Sequence, residues 1–245
     1  MRKIVHLLDD IALGGVTRLI SSLIPTLADE FDQQQLNLCT RFSLPPRIEA
    51  DVILVHFTLG WTKLAFLFGL RLRAPRAALV VVEHTYTRGF ENLNVPRRWR
   101  FRKLLRISYA LADRIVCVSA GQRRWMLQAG LAAANKTFMI PCVLDLTPFA
   151  AIAEPSRQQG PMKLGAFGRF SRQKAYDTLI EAMRRVPPAT AELALAGYGE
   201  DETALRAAAF GLPHVHIHGK RPPLAADQFA FCAVSLDAFQ FQGSN

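Results

Sequence analysis

Short runs of apolar, often β-branched residues alternate along this chain with longer stretches in which apolar residues return every three or four positions. The first pattern is that of buried strands and the second that of helices lying on a sheet. Runs at 3–8, 35–39, 52–56, 78–83, 114–118 and 137–140 predict strands, and 16–30, 61–72, 97–112 and 120–131 predict helices among them. Strands separated by helices favour parallel pairing, so residues 1–150 are expected to form a parallel sheet covered by helices. Pro141, Pro148 and the polar stretch Glu154-Pro155-Ser156-Arg157-Gln158-Gln159-Gly160-Pro161 break the alternation and predict a linker at 151–161. The pattern then restarts, with strands expected at 163–167, 192–196, 215–218 and 233–239 and helices at 175–185, 202–210 and 225–231. A second Rossmann-like unit over 162–245 is expected. Because the sequence ends six residues after the last predicted strand, that unit is expected to be incomplete.

Half of the 245 residues are apolar, which favours a folded core over disorder. Apolar runs such as 64–70 and 77–82 are far shorter than the roughly 20 residues of a membrane-spanning helix. The four cysteines, Cys39, Cys117, Cys142 and Cys232, show no Cys-x-x-Cys spacing, so reduced thiols of a cytoplasmic protein are expected. Charge is uneven: residues 1–150 hold 20 Lys and Arg against 11 Asp and Glu, whereas 151–245 hold 10 against 9. The excess is densest in Arg97-Arg98-Trp99-Arg100-Phe101-Arg102-Lys103 with Arg106 following. Such a run suits an anionic membrane surface, a phosphate-bearing substrate or nucleic acid, or else is a solvated helix face. No nucleic-acid motif accompanies it, so nucleic acid is not expected as a partner.

Two places suggest phosphate chemistry. Gly14-Gly15 sits between the first strand and the first helix, where a backbone without side chains and the free N–H groups of a helix start admit a phosphate, or simply a tight turn. In the second half a strand delivers Arg169 and Lys174 into a loop just before a helix, so two cations and a positive helix end converge at a place suited to a diphosphate. His214, His216 and His218 alternate and would share one face of a strand, yet no acidic residue or cysteine lies near enough in sequence to complete a metal site. Gly197 and Gly199 lack the third glycine of a dinucleotide fingerprint.

The stretch Gly165-Ala166-Phe167-Gly168-Arg169-Phe170-Ser171-Arg172-Gln173-Lys174-Ala175-Tyr176-Asp177-Thr178-Leu179-Ile180-Glu181-Ala182 resembles glycosyltransferase family 4. Members carry a Gly-Arg, a Lys usually followed by Gly, and a helix beginning Asp-x-Leu-Ile-x-Ala; Ala175 stands here where that Gly is common. Four other places are similar to the family in the same order: Gly14-Gly15-Val16-Thr17-Arg18-Leu19, Glu83-His84-Thr85, Val118-Ser119-Ala120 with Ile140 to Phe149 following, and Leu195-Ala196-Gly197-Tyr198-Gly199-Glu200 with Val215 to Gly219. In the third of these Cys142-Val143 replaces the usual Asn-Gly.

The resemblance implies an α/β protein of two Rossmann-like, doubly wound parallel-sheet domains (GT-B), here cut short in the second. It implies transfer of a sugar from a UDP- or GDP-sugar to a saccharide or lipid-linked acceptor in polysaccharide or cell-envelope synthesis, with retention at the anomeric carbon, no cofactor and no metal. An enzyme with lipid-linked acceptors is expected at the cytoplasmic face of the membrane, held there peripherally by its basic half. Arg169 and Lys174 would neutralise the leaving diphosphate and His84 would lie beside the transferred sugar. Gly14, Gly15, Gly168, Gly197, Gly199 and Gln242 would complete the donor site. The family normally places two glutamates, separated by seven residues, after its penultimate strand. Gln242-Gly243 falls where the first Glu-Gly is expected, and the second would lie beyond Asn245. An amide hydrogen-bonds hydroxyls but supplies no carboxylate, so the alternative is an inactive fragment that only binds acceptor or nucleotide.

Overall fold

The chain divides into two units, Met1–Asp145 and Leu146–Asn245. The computed structural model describes residues 1–9, 15–142, 160–219 and 232–233. The predicted linker therefore lies outside the described residues except for Gly160 and Pro161, as do Gly14, Gln242, the predicted helix at 225–231 and residues 234–239.

The first unit is a six-stranded sheet in the order β2-β1-β3-β4-β5-β6, every neighbouring pair parallel. Its strands are β1 (Arg2–Leu8), β2 (Phe31–Asn37), β3 (Val52–Val55), β4 (Ala78–Glu83), β5 (Arg114–Cys117) and β6 (Thr137–Met139). The connecting helices are α1 (Gly15–Thr26), α2 (Leu64–Arg73), α3 (Arg88–Asn94), α4 (Arg98–Leu111) and α5 (Ala120–Gln128). Alternate strand residues Val5, Leu7, Ile53, Val55, Leu79, Val81, Ile115 and Cys117 are buried, and Phe66, Leu67 and Leu70 of α2, Leu105 and Tyr109 of α4, and Trp125 and Met126 of α5 share their core. The chain winds from β1 to β2 on one side and from β3 to β6 on the other, so the order reverses at β1 and β3, where doubly wound sheets open a crevice at the carboxyl edge.

Two elements differ from the sequence reading. The second strand begins at Phe31, four residues earlier than expected, and includes the polar run Asp32-Gln33-Gln34-Gln35. It is an edge strand with alternating exposure, so polar side chains cost little there, and backbone pairing with β1 determines its extent. The first helix stops at Thr26 rather than Glu30, just after Pro25, which has no N–H to continue the ladder.

The second unit is a four-stranded parallel sheet in the order β10-β7-β8-β9. It comprises β7 (Met162–Arg169), β8 (Ala191–Tyr198), β9 (Val215–His218) and β10 (Cys232–Ala233), with α6 (Tyr176–Met183) and α7 (Glu202–Ala208) between. Phe170, Tyr176, Ile180, Met183, Leu193, Leu195 and Leu205 form its core. The chain proceeds from β7 through β8 to β9 and then returns to the other side of β7, so the strand order reverses at β7. The carboxyl end of β7 is therefore the position at which a ligand crevice is expected.

Candidate functional site

In the first unit the site residues gather at the carboxyl ends of β1, β3 and β4. β4 ends in Glu83, which is fully buried below the turn that follows. One of its oxygens accepts the N–H groups of Thr85 at 2.9 Å and Tyr86 at 3.0 Å, and the other accepts the hydroxyl of Tyr109 at 2.8 Å. Burial pushes the Glu83 carboxyl upward and these three donors pull it back. The carboxylate thus pins the turn that carries His84. The loop after β3 is tied to the same turn by Thr58 and Thr85, whose hydroxyls lie 3.2 Å apart, and by the Tyr86 hydroxyl, which donates to the Leu59 carbonyl.

His84 belongs to a row of three imidazoles. His6 Nδ1 lies 3.1 Å from His56 Nε2, and His56 Nδ1 lies 3.1 Å from His84 Nε2. The rings are nearly parallel, at interplanar angles of 17° and 26°, and centroid separations of 5.3 and 5.4 Å with nitrogens 3.1 Å apart set them edge to edge. At the far end His6 Nε2 is 3.0 Å from Gln33 Oε1. Burial lowers all three histidines: His84 falls to about 4 and His56, which also faces the other two rings, to about 3. Three neutral rings are the result near pH 7. Just past the end of β1, Asp9 pairs with Lys63 and accepts the Thr40 hydroxyl at 3.1 Å.

Gly15 is the first residue of α1 and is exposed; a methyl group added there would meet nothing within 4 Å. Packing therefore gives no reason for glycine at this position.

In the second unit Gly168, Arg169, Lys174, Gly197 and Gly199 meet at the carboxyl ends of β7 and β8. Gly168 pairs with Gly197 and Arg169 with Tyr198 in the strand register. Arg169 is exposed at the strand end, Phe170 turns wholly inward, and a short 3-10 turn at Arg172–Lys174 leads to α6. A methyl group on Gly168 would lie 2.9 Å from the Tyr176 hydroxyl and 3.7 Å from Lys174 Cε, so the lysine stem runs beside the residue preceding Arg169. Ala175 is left-handed, at φ 49° and ψ 40°. That conformation costs an L-residue roughly 1–2 kcal/mol, which is the physical reason a glycine suits the position.

The glycines of β8 have a separate task. A methyl group on Gly197 would lie 1.9 Å from the Gly168 carbonyl oxygen, and one on Gly199 would lie 2.2 Å from that of Phe170. The Phe170 N–H donates to the Tyr198 carbonyl at 2.9 Å and the Asp201 N–H to the Phe170 carbonyl at 3.2 Å, so the two strand ends close on each other. The glycines permit that closure.

Other candidates separate. His214 is buried with Nε2 3.0 Å from the Met183 carbonyl, whereas His216 is exposed, so the three alternating histidines do not act as one face. Among the described residues no group of three His, Cys, Asp or Glu is arranged to hold a metal. The basic run also divides. Arg102 grips the buried Glu91 through two contacts of 2.6 and 2.9 Å, and Arg106 donates to the carbonyls of Gly130 and Ala129. Arg97, Arg98, Arg100 and Lys103 remain exposed, near Leu93 at 79% and Trp99 at 68% exposure. Among the described residues no helix is long and apolar enough to cross a membrane.

The sequence alone points to His84 but not to His6, His56 or Gln33. Their only sequence signal is that each histidine lies at or near the carboxyl end of a predicted strand; the order β1-β3-β4 is what makes them neighbours.

The profile described as Glycosyltransferase Family 4 matches residues 14–147. No curated protein sequence matches the chain significantly. Among solved structures, Anabaena HepE in complex with UDP and glucose is similar at a TM-score of 0.65 and 16% identity, over 94% of this chain and 72% of that one. An alpha-glucosyltransferase in complex with UDP-glucose and DNA containing an abasic site matches at 0.61 and 11%, over 90% and 68%. The lipopolysaccharide outer core galactosyltransferase WaaB matches at 0.57 and 13%, over 89% and 68%. At these identities the likeness shows the fold: two Rossmann-like parallel sheets of the GT-B kind. Because one neighbour holds DNA, the fold lends no support to excluding nucleic acid.

Proposed function

This chain belongs to glycosyltransferase family 4, a family that moves sugars, and from that premise we propose that it transfers a sugar from a nucleoside diphosphate sugar, UDP- or GDP-linked, to a saccharide or lipid-linked acceptor with retention at the anomeric carbon. The observation that carries this reading is the meeting of Gly168, Arg169, Lys174 and the start of α6 at the carboxyl end of β7, where the strand order reverses. There the Arg169 guanidinium grips the diphosphate and the Lys174 ammonium meets the charge that grows on the leaving oxygen. Those two cations take the part a metal ion takes in other transferases. In the first unit His84 lies beside the transferred sugar, and the open backbone at Gly15 lets a phosphate or sugar approach. Titration of the purified chain with UDP and with GDP is expected to give saturable binding of one of them. Absence of saturable binding to both removes the proposal. Anomeric coupling constants in the NMR spectrum of the first-formed product decide retention.

We also propose that the corner between α3 and α4 docks on an anionic membrane surface. Trp99 and Leu93 expose apolar area beside Arg97, Arg98, Arg100 and Lys103, a combination that joins shallow insertion to headgroup attraction. Cosedimentation with vesicles containing phosphatidylglycerol is expected to exceed that with pure phosphatidylcholine, to fall as salt rises, and to drop several-fold for Trp99→Ser. Equal binding to both vesicles, or none to either, overturns it.

A further inference from the structure

We infer that Gln33, His6 and His56 are positioning residues that hold His84 in a single tautomer, with hydrogen on Nε2 and a bare Nδ1. The row of rings is closed at Gln33. The Gln33 side-chain NH2 lies 3.4 Å from the Ile24 carbonyl oxygen, so the amide directs its own oxygen at His6 Nε2, 3.0 Å away; the opposite orientation would set two oxygens against each other. An amide oxygen only accepts, so His6 Nε2 carries the hydrogen.

A neutral imidazole has one donor and one acceptor. With Nε2 protonated, His6 presents a lone pair on Nδ1, and His56 Nε2, 3.1 Å from it, must donate. The same step repeats: His56 Nδ1 is bare, His84 Nε2 donates to it across 3.1 Å, and His84 is left with a lone pair on Nδ1. One amide orientation at β2 thereby sets the polarity of a ring two strands beyond β1, at the end of β4. A hydrogen moved to the wrong nitrogen of any ring would put two lone pairs or two N–H groups face to face within 3.1 Å.

The consequence for chemistry is that His84 offers an acceptor. Resting on the glycosyltransferase reading, its partner is a hydroxyl of the donor sugar or the acceptor, which must donate to Nδ1.

Long-range 1H–15N correlation spectra of the full chain labelled with 15N-histidine report the tautomer of each ring without reference to activity. The expected result is the Nε2–H pattern for all three rings near pH 7. The Gln33 side-chain oxygen is the acceptor that sets this pattern. Gln33→Leu removes it and is expected to give mixed tautomers at His6 and His84, with kcat for transfer reduced several-fold and KM for the donor little changed. An Nδ1–H pattern at His84 in the unaltered protein overturns the inference, as does a pattern that Gln33→Leu leaves untouched in a folded variant. Should Gln33→Leu not fold, the spectrum of the unaltered protein decides alone. A correct tautomer pattern in a chain that transfers no sugar refutes the enzymatic reading and leaves the relay standing.

Discussion

Replacing Arg169 by alanine is expected to lower the rate of sugar transfer by about a hundredfold or more while leaving the melting temperature of the protein nearly unchanged. The size follows from the role proposed for it: deleting one preorganised donor aimed at developing negative charge costs roughly a hundred- to a thousandfold in kcat. The lack of a stability effect follows from geometry. Arg169 is exposed at the end of β7, and its neighbour Phe170, not the arginine, fills the core. Arg169→Lys is expected to recover only part of the rate, because an ammonium keeps the charge but loses the two-pronged grip on a diphosphate. Lys174→Ala should lower the rate to a similar degree. It should also loosen the turn slightly, since its stem runs beside Gly168. Steady-state kinetics with donor varied, paired with titration of the free nucleoside diphosphate, separates binding from turnover. A variant that transfers sugar at the original rate would deny Arg169 this role, and a loss of rate matched by a loss of folding would reduce it to a structural residue.

Local pattern was sufficient for most of the architecture. The buried strands β1, β3, β4 and β5 are short apolar runs closed by polar residues, too short for a helix of ordinary length. Where the signal failed, it failed for identifiable reasons. α3 is only seven residues long and depends on the Thr87 hydroxyl accepting the Phe90 N–H at 3.1 Å and on Glu91 being drawn inward by Arg102 and Trp125. Its existence is a tertiary fact. Asp32, Gln33 and Gln34 lie outside the predicted strand 35–39 because their strand character comes from pairing with β1, and Gln33 additionally ends the row of histidines.

The candidate site was legible unevenly. Arg169 and Lys174 could be found because strand, cations and helix start follow one another in sequence. His84 could be found only by resemblance, and what surrounds it depends on strand order: His6 and His56 are 50 residues apart and touch because β1 and β3 are neighbours. Glu83 reads as the polar end of a strand, yet it is buried and holds the turn in place from below. Likewise Ala175 looked like a mild departure from a common glycine, and the left-handed backbone there explains what the departure costs.

The Gly-x-Gly at the end of β8 carries the second large expectation. Gly197→Ala is expected to destabilise the second unit by about 3 kcal/mol or more, the upper range for overpacking, because no side chain can yield to it. The added methyl would sit 1.9 Å from the Gly168 carbonyl oxygen and 3.1 Å from its carbon, with the Phe170 ring at 2.9 Å. Gly168 and Gly197 are register partners on adjacent strands in the middle of the sheet, so relief requires parting β7 from β8. Gly199→Ala meets the Phe170 carbonyl at 2.2 Å and should behave alike. The strain arises in the second unit, and the first unit carries a separate signal. All three tryptophans, Trp61, Trp99 and Trp125, lie in the first unit, so their fluorescence reports that unit alone. In Gly197→Ala the tryptophan transition should stay where it was, while hydrogen exchange in 162–198 speeds up and nucleotide binding is lost with it. If exchange in 162–198 were unaltered and only nucleotide binding fell, the glycine would serve the ligand directly and the closing of the two strand ends would owe nothing to it.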